Sequence, residues 1–160
     1  MKSFTFRAIS IFFASAMLLC LMTGCGSKDP VSTVDFEYLA TQKGYIVEDA
    51  TDLFAPYDYI NFATLAAAQD KSFQIEFYEL TDEAFASSFY SSNKNNLLMM
   101  KSADAIESND SGSNYDVFRL ESANGFMMIE RVKNTVVYVD RTDISNKAQI
   151  EGFLKELKYL

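Results

Sequence analysis

The sequence predicts an α+β domain: an antiparallel sheet of about five strands with about three helices packed mainly on one face. Three observations support this fold class. Asn124-Gly125, a strong hairpin signal, and Lys133-Asn134 separate three consecutive strand-like runs. Apolar and polar residues alternate over residues 73–78, as on a half-buried strand. Near the C-terminus a single helical stripe is formed by Ile150, Phe153, Leu154 and Leu157.

Capping residues and apolar stripes place the three helices along the chain. Ser, Thr and Asp are favoured at helix N-termini, and Gly is favoured just after a C-terminus. The second helix has a poorly marked end, where the asparagines at 93–96 suggest a stop. The expected helices run from Ser32 or Thr33 to Gly44, from Thr81 to about Asn96, and from about Ser145 to Lys158.

The strands are expected in two groups, a hairpin and a three-stranded meander. In the hairpin, residues 60–68 pair with 73–80 across a turn at 69–71. The meander comprises residues 115–122, 126–132 and 135–140.

The first turn of the meander predicts a register. With Asn124-Gly125 as its central pair, Leu120 faces Ile129. Arg119 then faces Glu130, and the two would form a cross-strand ion pair.

Residues 101–114 are rich in Ser, Asp and Asn and contain no aromatic residue, so we expect a polar loop that is either functional or disordered. Within it, oxygen-bearing side chains alternate over 107–112, as in a calcium-binding loop. The closing bidentate Glu of that pattern would fall on Phe118. We therefore expect a linker and no metal site.

The first 24 residues have the layout of a secretory signal peptide. Lys2 and Arg7 form a positive N-terminal region, residues 8–22 are predominantly apolar, and the small pair Thr23-Gly24 precedes Cys25. The run is shorter than the roughly 20 residues that suit a transmembrane helix. An uncleaved anchor and an ordinary signal cut without lipid attachment are the alternatives.

The segment from Leu21 to Cys25 resembles the lipobox of bacterial lipoproteins, although Met22 stands where that pattern more often has Leu. The resemblance implies that Cys25 becomes the first mature residue and carries a diacylglyceryl thioether with palmitate-type chains. It implies a cell-membrane location on the extracytoplasmic face, or an outer membrane if the cell has two. The whole layout is also similar to small, functionally uncharacterised lipoproteins of Gram-positive bacteria, which implies no catalytic residue.

The predicted lipobox divides the chain into three parts. Residues 1–24 form the signal peptide, residues 25–32 the lipidated cysteine and a short tether, and residues 33–160 a single domain. The seven residues 26–32 reach at most about 25 Å, so the domain is expected close to the membrane.

Composition excludes several function classes. Removing the signal leaves 12 of the 14 basic residues, without Lys2 and Arg7, and all 22 acidic ones. An acidic surface argues against a nucleic-acid partner. The sequence has no His, and neither Cys20 nor Cys25 would remain as a free thiol, so the usual catalytic bases, nucleophiles and metal ligands are missing. We expect no cofactor besides the covalent lipid.

Carboxylates are the remaining candidates for acid–base chemistry. Asp49, Asp52 and Asp58 lie close together in sequence, as do Glu76 and Glu79. A pair facing each other across a sugar cleft could hydrolyse a glycosidic bond. A solvated acidic surface is the alternative, and we expect no catalytic site.

One face of the meander is a candidate binding surface. Tyr115, Val117, Phe126 and Met128 project from it, and they form an open apolar patch unless a helix packs there. We therefore expect a non-enzymatic, membrane-anchored binding or accessory module whose partner is another envelope protein or component. A hydrolase of envelope polysaccharide and a small solute-capturing lipoprotein are the alternatives.

Overall fold

The computed structural model describes residues 26–160; the predicted signal peptide and Cys25 lie outside them. Three α-helices and seven strands make up this part of the chain, with short 3-10 turns at Thr51–Phe54 and Ile144–Asn146. The helices are α1 (Thr33–Gln42), α2 (Glu83–Met99) and α3 (Lys147–Glu156). The strands are β1 (Ile46–Asp49), β2 (Ile60–Ala67), β3 (Gln74–Leu80), β4 (Ile106–Ser111), β5 (Tyr115–Ser122), β6 (Gly125–Val132) and β7 (Thr135–Thr142).

All seven strands form one antiparallel sheet in the order β1-β2-β3-β7-β6-β5-β4. The α+β class, the hairpin and the meander are therefore confirmed, but the expected number of about five strands is too low. Strands β1 and β4 are the additions, one at each edge of the sheet. The N-terminal hairpin and the meander join through β3 and β7, where Phe77 pairs with Val137.

Strand β4 occupies the centre of the segment 101–114, which was predicted to be a polar loop. Its six residues pair with β5 from Ile106 opposite Glu121 to Ser111 opposite Asp116. All of them are exposed, so side-chain burial contributes little to this strand. Backbone hydrogen bonds to β5 hold β4 at the edge of the sheet. Because no side chain of β4 is buried, its sequence has no alternation of apolar and polar residues that would have predicted a strand.

Helices cover both faces of the sheet: of the three described helices, α1 and α3 pack on one face and α2 packs on the other. On one face, Phe36 of α1 stacks on Phe77 at 4.8 Å between ring centroids and meets Phe153 of α3 at 5.5 Å. On the other face, Phe89 of α2 contacts Tyr78 at 4.8 Å. The physical reason lies in the central strands, which are apolar on both sides: residues 126–130 of β6 are all at most 5% exposed.

The first turn of the meander differs from the predicted register by two residues. Ser122 pairs with Gly125, so Leu120 faces Met127 and Arg119 faces Met128. Gly125 lies within strand β6 rather than in the turn, and a Cβ added there would lie 3.4 Å from Ser122 Oγ. The expected Arg119–Glu130 pair is therefore not formed. The second turn, at Lys133-Asn134, is confirmed, and Lys133 has a φ of 51°.

Local capping explains the helix boundaries. Ser32 Oγ accepts a hydrogen bond from the backbone N–H of Asp35 at 3.1 Å, as expected for the first helix. Asp82, rather than Thr81, caps α2 by accepting from Phe85 N–H at 2.9 Å. Helix α2 continues past the asparagines to Met99 because Leu97 is fully buried against the sheet. Within residues 26–160 no helix is long and apolar enough to cross a membrane.

Candidate functional site

The predicted binding face is part of the core. Tyr115 is 9% exposed, Val117 is 1% exposed, and Phe126 and Met128 are fully buried. They belong to the same buried cluster as Phe153 of α3. These four residues therefore do not form an open surface in this structure.

The candidate carboxylates do not all meet at one place: Asp49 and Glu79 line one cavity of about 320 Å³ together with Glu37, and Glu76 lines another. Glu76 and Glu79 lie three residues apart on β3 and so project from opposite faces. Glu76 accepts a hydrogen bond from the Tyr78 hydroxyl at 2.5 Å, and Glu79 accepts from Thr33 Oγ1 at 3.0 Å. Asp49 accepts from the Thr51 side chain and backbone N–H, and these bonds lower the pKa of its carboxyl.

A cavity of about 480 Å³ on the sheet face does contain acidic residues, among them Glu48 and Glu76. The two are paired with the same residue, Leu65, from opposite sides, so one strand separates them and their backbones lie about 10 Å apart. Glu48 is exposed and Glu76 half-buried, and neither has the buried setting of a general acid. Among the described residues no group of three His, Cys, Asp or Glu could hold a metal ion.

A groove lined by aromatic rings lies between helix α2 and the chain that leads into β2. Its volume is about 480 Å³. The apolar lining residues are Phe54, Tyr57, Tyr59, Ile60, Phe85 and Phe89. The polar lining residues are Ser88, Ser92, Asn93 and Asn96, all on α2. We call this feature the aromatic groove.

The rings of the aromatic groove contact one another and remain open to solvent. Tyr59 stacks on Phe85 with 5.3 Å between centroids and 12° between planes. Tyr57 joins them at 5.7 Å from Tyr59. Tyr57 is 49% exposed and Phe85 is 45% exposed, although burial of such rings normally favours folding.

A second layer of rings supports the aromatic groove from the sheet. The buried Tyr78 ring contacts Phe54 at 5.4 Å and Phe89 at 4.8 Å. Burial, followed by the nearby Glu76 carboxylate, raises the pKa of the Tyr78 hydroxyl, which stays protonated and donates to that carboxylate. The aromatic groove therefore rests on buried rings of the core, and the rings at its rim are exposed to solvent.

The aromatic groove is uncharged. Every residue that lines it is apolar, aromatic, Ser or Asn, whereas 22% of the whole chain is charged. Within residues 26–160, Asn93 Nδ2 donates to the Phe89 carbonyl at 2.9 Å, and the side chains of Ser88, Ser92 and Asn96 make no hydrogen bond to protein. These groups are available to a ligand.

Sequence patterns did not single out these residues. Phe85 and Phe89, one turn apart, suggested only a buried stripe of α2. One signal for the groove was present in the sequence. Three aromatic residues, Phe54, Tyr57 and Tyr59, lie close together around Pro56, in a short turn.

The segment expected to be a tether, residues 26–32, contacts the turn between β4 and β5 through its first three residues. We call residues 26–28 the strap. The Asn114 side chain accepts from Lys28 N–H at 3.0 Å and donates to the Lys28 carbonyl at 2.7 Å. The Gly26 carbonyl accepts from Ser113 N–H at 3.2 Å. A Cβ on Gly112 would lie 2.2 Å from that carbonyl, so only glycine fits there.

The Lys28 side chain reaches into the core from the strap. Its ammonium donates to Glu130 Oε1 at 2.6 Å and to the Tyr159 carbonyl, and it lies 4.4 Å from the centre of the Tyr115 ring. Glu130 is fully buried, and its Oε2 has no hydrogen-bond partner in the part of the chain described. Burial raises the pKa of Glu130 to about 7, and the hydrogen bond and charge of Lys28 offset part of that effect.

No protein-family model matches the sequence, and neither the curated proteins nor the solved structures include a match to it.

Proposed function

We propose that this chain is a lipid-anchored, extracytoplasmic module that binds a component of the cell envelope without catalysing a reaction. The observation that carries the proposal is the aromatic groove, in which Tyr57 and Phe85 are about half exposed beside a core of buried rings. Grooves with aromatic walls and a few polar groups are the usual form of ligand sites.

The strap supports the anchored arrangement. Gly26 follows the proposed lipid attachment residue, Cys25, and its carbonyl is bonded to Ser113. A lipid on Cys25 would thus hold the β4–β5 turn at the membrane surface rather than on a long flexible tether. Two acyl chains are sufficient for stable attachment.

A solute-capturing protein with two closing lobes is a poorer fit. The described residues form one sheet with helices on both faces, and the aromatic groove lies on this single unit.

The proposal is tested by photo-crosslinking in cells. A photo-reactive amino acid replaces Phe85 in the aromatic groove or, as a matched control, Phe62, which is 48% exposed and lines a different cavity. We expect a crosslinked product from position 85 in the anchored protein and little from position 62. The product should be reduced when Cys25→Ala removes the anchor. Equal products from both positions, or none from position 85, would refute binding through the groove.

A further inference from the structure

We infer that the ligand of the aromatic groove is an uncharged glycan strand, whose sugar rings stack on the Tyr57, Tyr59 and Phe85 side chains. This inference rests on the proposed function and specifies the ligand class of the same site.

The absence of charged side chains from the lining of the aromatic groove supports an uncharged ligand. The groove lining contains no charged side chain to pair with an anion or a cation. Asp58, between the lining residues Tyr57 and Tyr59, and Glu83, two residues before Phe85, are exposed and acidic. Lys94 follows the lining residue Asn93, but its ammonium donates to Asn109 Oδ1. A polymer bearing phosphate or carboxylate groups would find no basic side chain in the groove lining, and the exposed Asp58 carboxylate would repel it in a salt-dependent way.

The geometry of the rings suits the faces of sugars. One face of a pyranose ring presents C–H groups, and aromatic faces carry negative charge density that attracts them. Tyr59 and Phe85 stack on each other, nearly parallel and 5.3 Å apart, so sugar rings would use the ring surface of this pair that stays open to solvent, together with Tyr57, whose ring is tilted by 52° to Tyr59. The chain has no Trp, so these three rings supply the stacking surface.

The polar rim suits the hydroxyl groups of sugars. Ser88, Ser92 and Asn96 are spaced four residues apart on α2, so they form a row about 12 Å long. Hydroxyl and amide groups both donate and accept hydrogen bonds, as sugar hydroxyls do. A row of this length can follow a strand of more than one sugar unit.

A proline-rich peptide is the main competitor, because such peptides also dock in aromatic grooves. Asn93 distinguishes the two ligands. Its Nδ2 is bonded to the Phe89 carbonyl, and its Oδ1 is accessible to solvent and can accept a hydrogen bond from a ligand. A proline residue has no N–H that could donate to Asn93 Oδ1, whereas the O–H of a sugar can donate to it.

The inference is tested by retention of the full-length lipidated protein, in a polyoxyethylene detergent free of sugar, on three kinds of immobilised probe. The neutral glycans are chitin, cellulose and mannan, the anionic glycan is polygalacturonate, and the peptide is polyproline. We compare the unmodified protein with Phe85→Ala and Tyr57→Ala. The controls are Phe62→Ala and Tyr38→Ala, which remove similarly or more exposed rings elsewhere.

We expect retention on at least one neutral glycan that is insensitive to salt and absent on polygalacturonate. Phe85→Ala and Tyr57→Ala should each weaken it about fivefold or more, and the two controls should not. Far-UV circular dichroism of each variant separates lost binding from lost folding.

Three results would overturn the inference. Equal retention of groove and control variants on the neutral glycans would place binding elsewhere. Retention on polyproline alone, lost in Phe85→Ala, would replace the glycan by a peptide while leaving the proposed function intact. If no probe is retained, the glycan is rejected, and the photo-crosslink at position 85 decides separately whether the groove binds any component.

Discussion

Glu130→Gln should remove a pH dependence of stability that this buried carboxyl creates. Burial raises the pKa of Glu130 from 4.5 to about 7 in the folded protein. The folded state therefore holds a proton between these values that the unfolded state releases. The stabilisation is fully present below pH 4.5 and is lost as the pH rises through 7. A pKa change of this size corresponds to a loss of about 3 kcal/mol in the free energy of unfolding.

Several groups face Glu130 and set this value. Lys28 of the strap and Arg119 of β5 lower the pKa, and Asp110 of β4 raises it. Other carboxyls have lowered pKa values because neighbouring hydroxyls and N–H groups bond to them. The lowered pKa values move their titration further from the pH range in which Glu130 titrates: Asp49, Asp70, Asp104 and Asp143.

The assay is urea unfolding of the full-length protein in nonionic detergent at pH 4.5 and 7.5. Far-UV circular dichroism is the signal, because the chain has no Trp. The unmodified protein should lose about 3 kcal/mol of unfolding free energy between the two pH values, and Glu130→Gln less than about 1 kcal/mol. Glu121→Gln, which removes the half-exposed partner of Lys147, should keep the dependence. The same slope in the unmodified protein and Glu130→Gln would refute this account.

Three further predictions concern the strap and helix α3. Asn114→Ala removes both side-chain bonds to the Lys28 backbone and should accelerate trypsin cleavage after Lys28 about tenfold; an unchanged rate would show that these bonds do not hold the strap. Gly112→Ala should displace the strap, since its Cβ would lie 2.2 Å from the Gly26 carbonyl, and should raise hydrogen exchange at Ser113 N–H. Gly152→Ala, in the interior of α3 with nothing within 4 Å of its Cβ, should instead stabilise the protein by about 0.5–1 kcal/mol, measured by urea unfolding. A destabilised Gly152→Ala would contradict this packing.

The features predicted from sequence are those fixed by local chemistry. The Ser32 cap, the Lys133-Asn134 turn and the apolar stripe of α3 each follow from residues close together in the chain. Strand β4 did not, because all its side chains are exposed and only its pairing with β5 holds it. The turn after β5 was misplaced because Ser122 pairs with Gly125, so that Ala123 and Asn124 form the turn and Gly125 begins β6.

The candidate site could not be derived from sequence because it depends on contacts between distant segments. The aromatic groove joins residues 54–60 to residues 85–96 across the end of the sheet. Lys28 and Glu130, 102 positions apart, meet only after the strap docks. Alternation along β5 and β6 showed which residues share a face, but not that helices cover that face.

The central claim, a domain anchored by lipid at Cys25, is tested most directly by the intact mass of the protein purified from its own membrane. The account predicts a chain that begins at Cys25, lacks residues 1–24 and carries the added mass of a diacylglyceryl group. Trypsin should place that mass on the peptide that ends at Lys28. Retention of residues 1–24, or an unmodified Cys25 thiol, would contradict it.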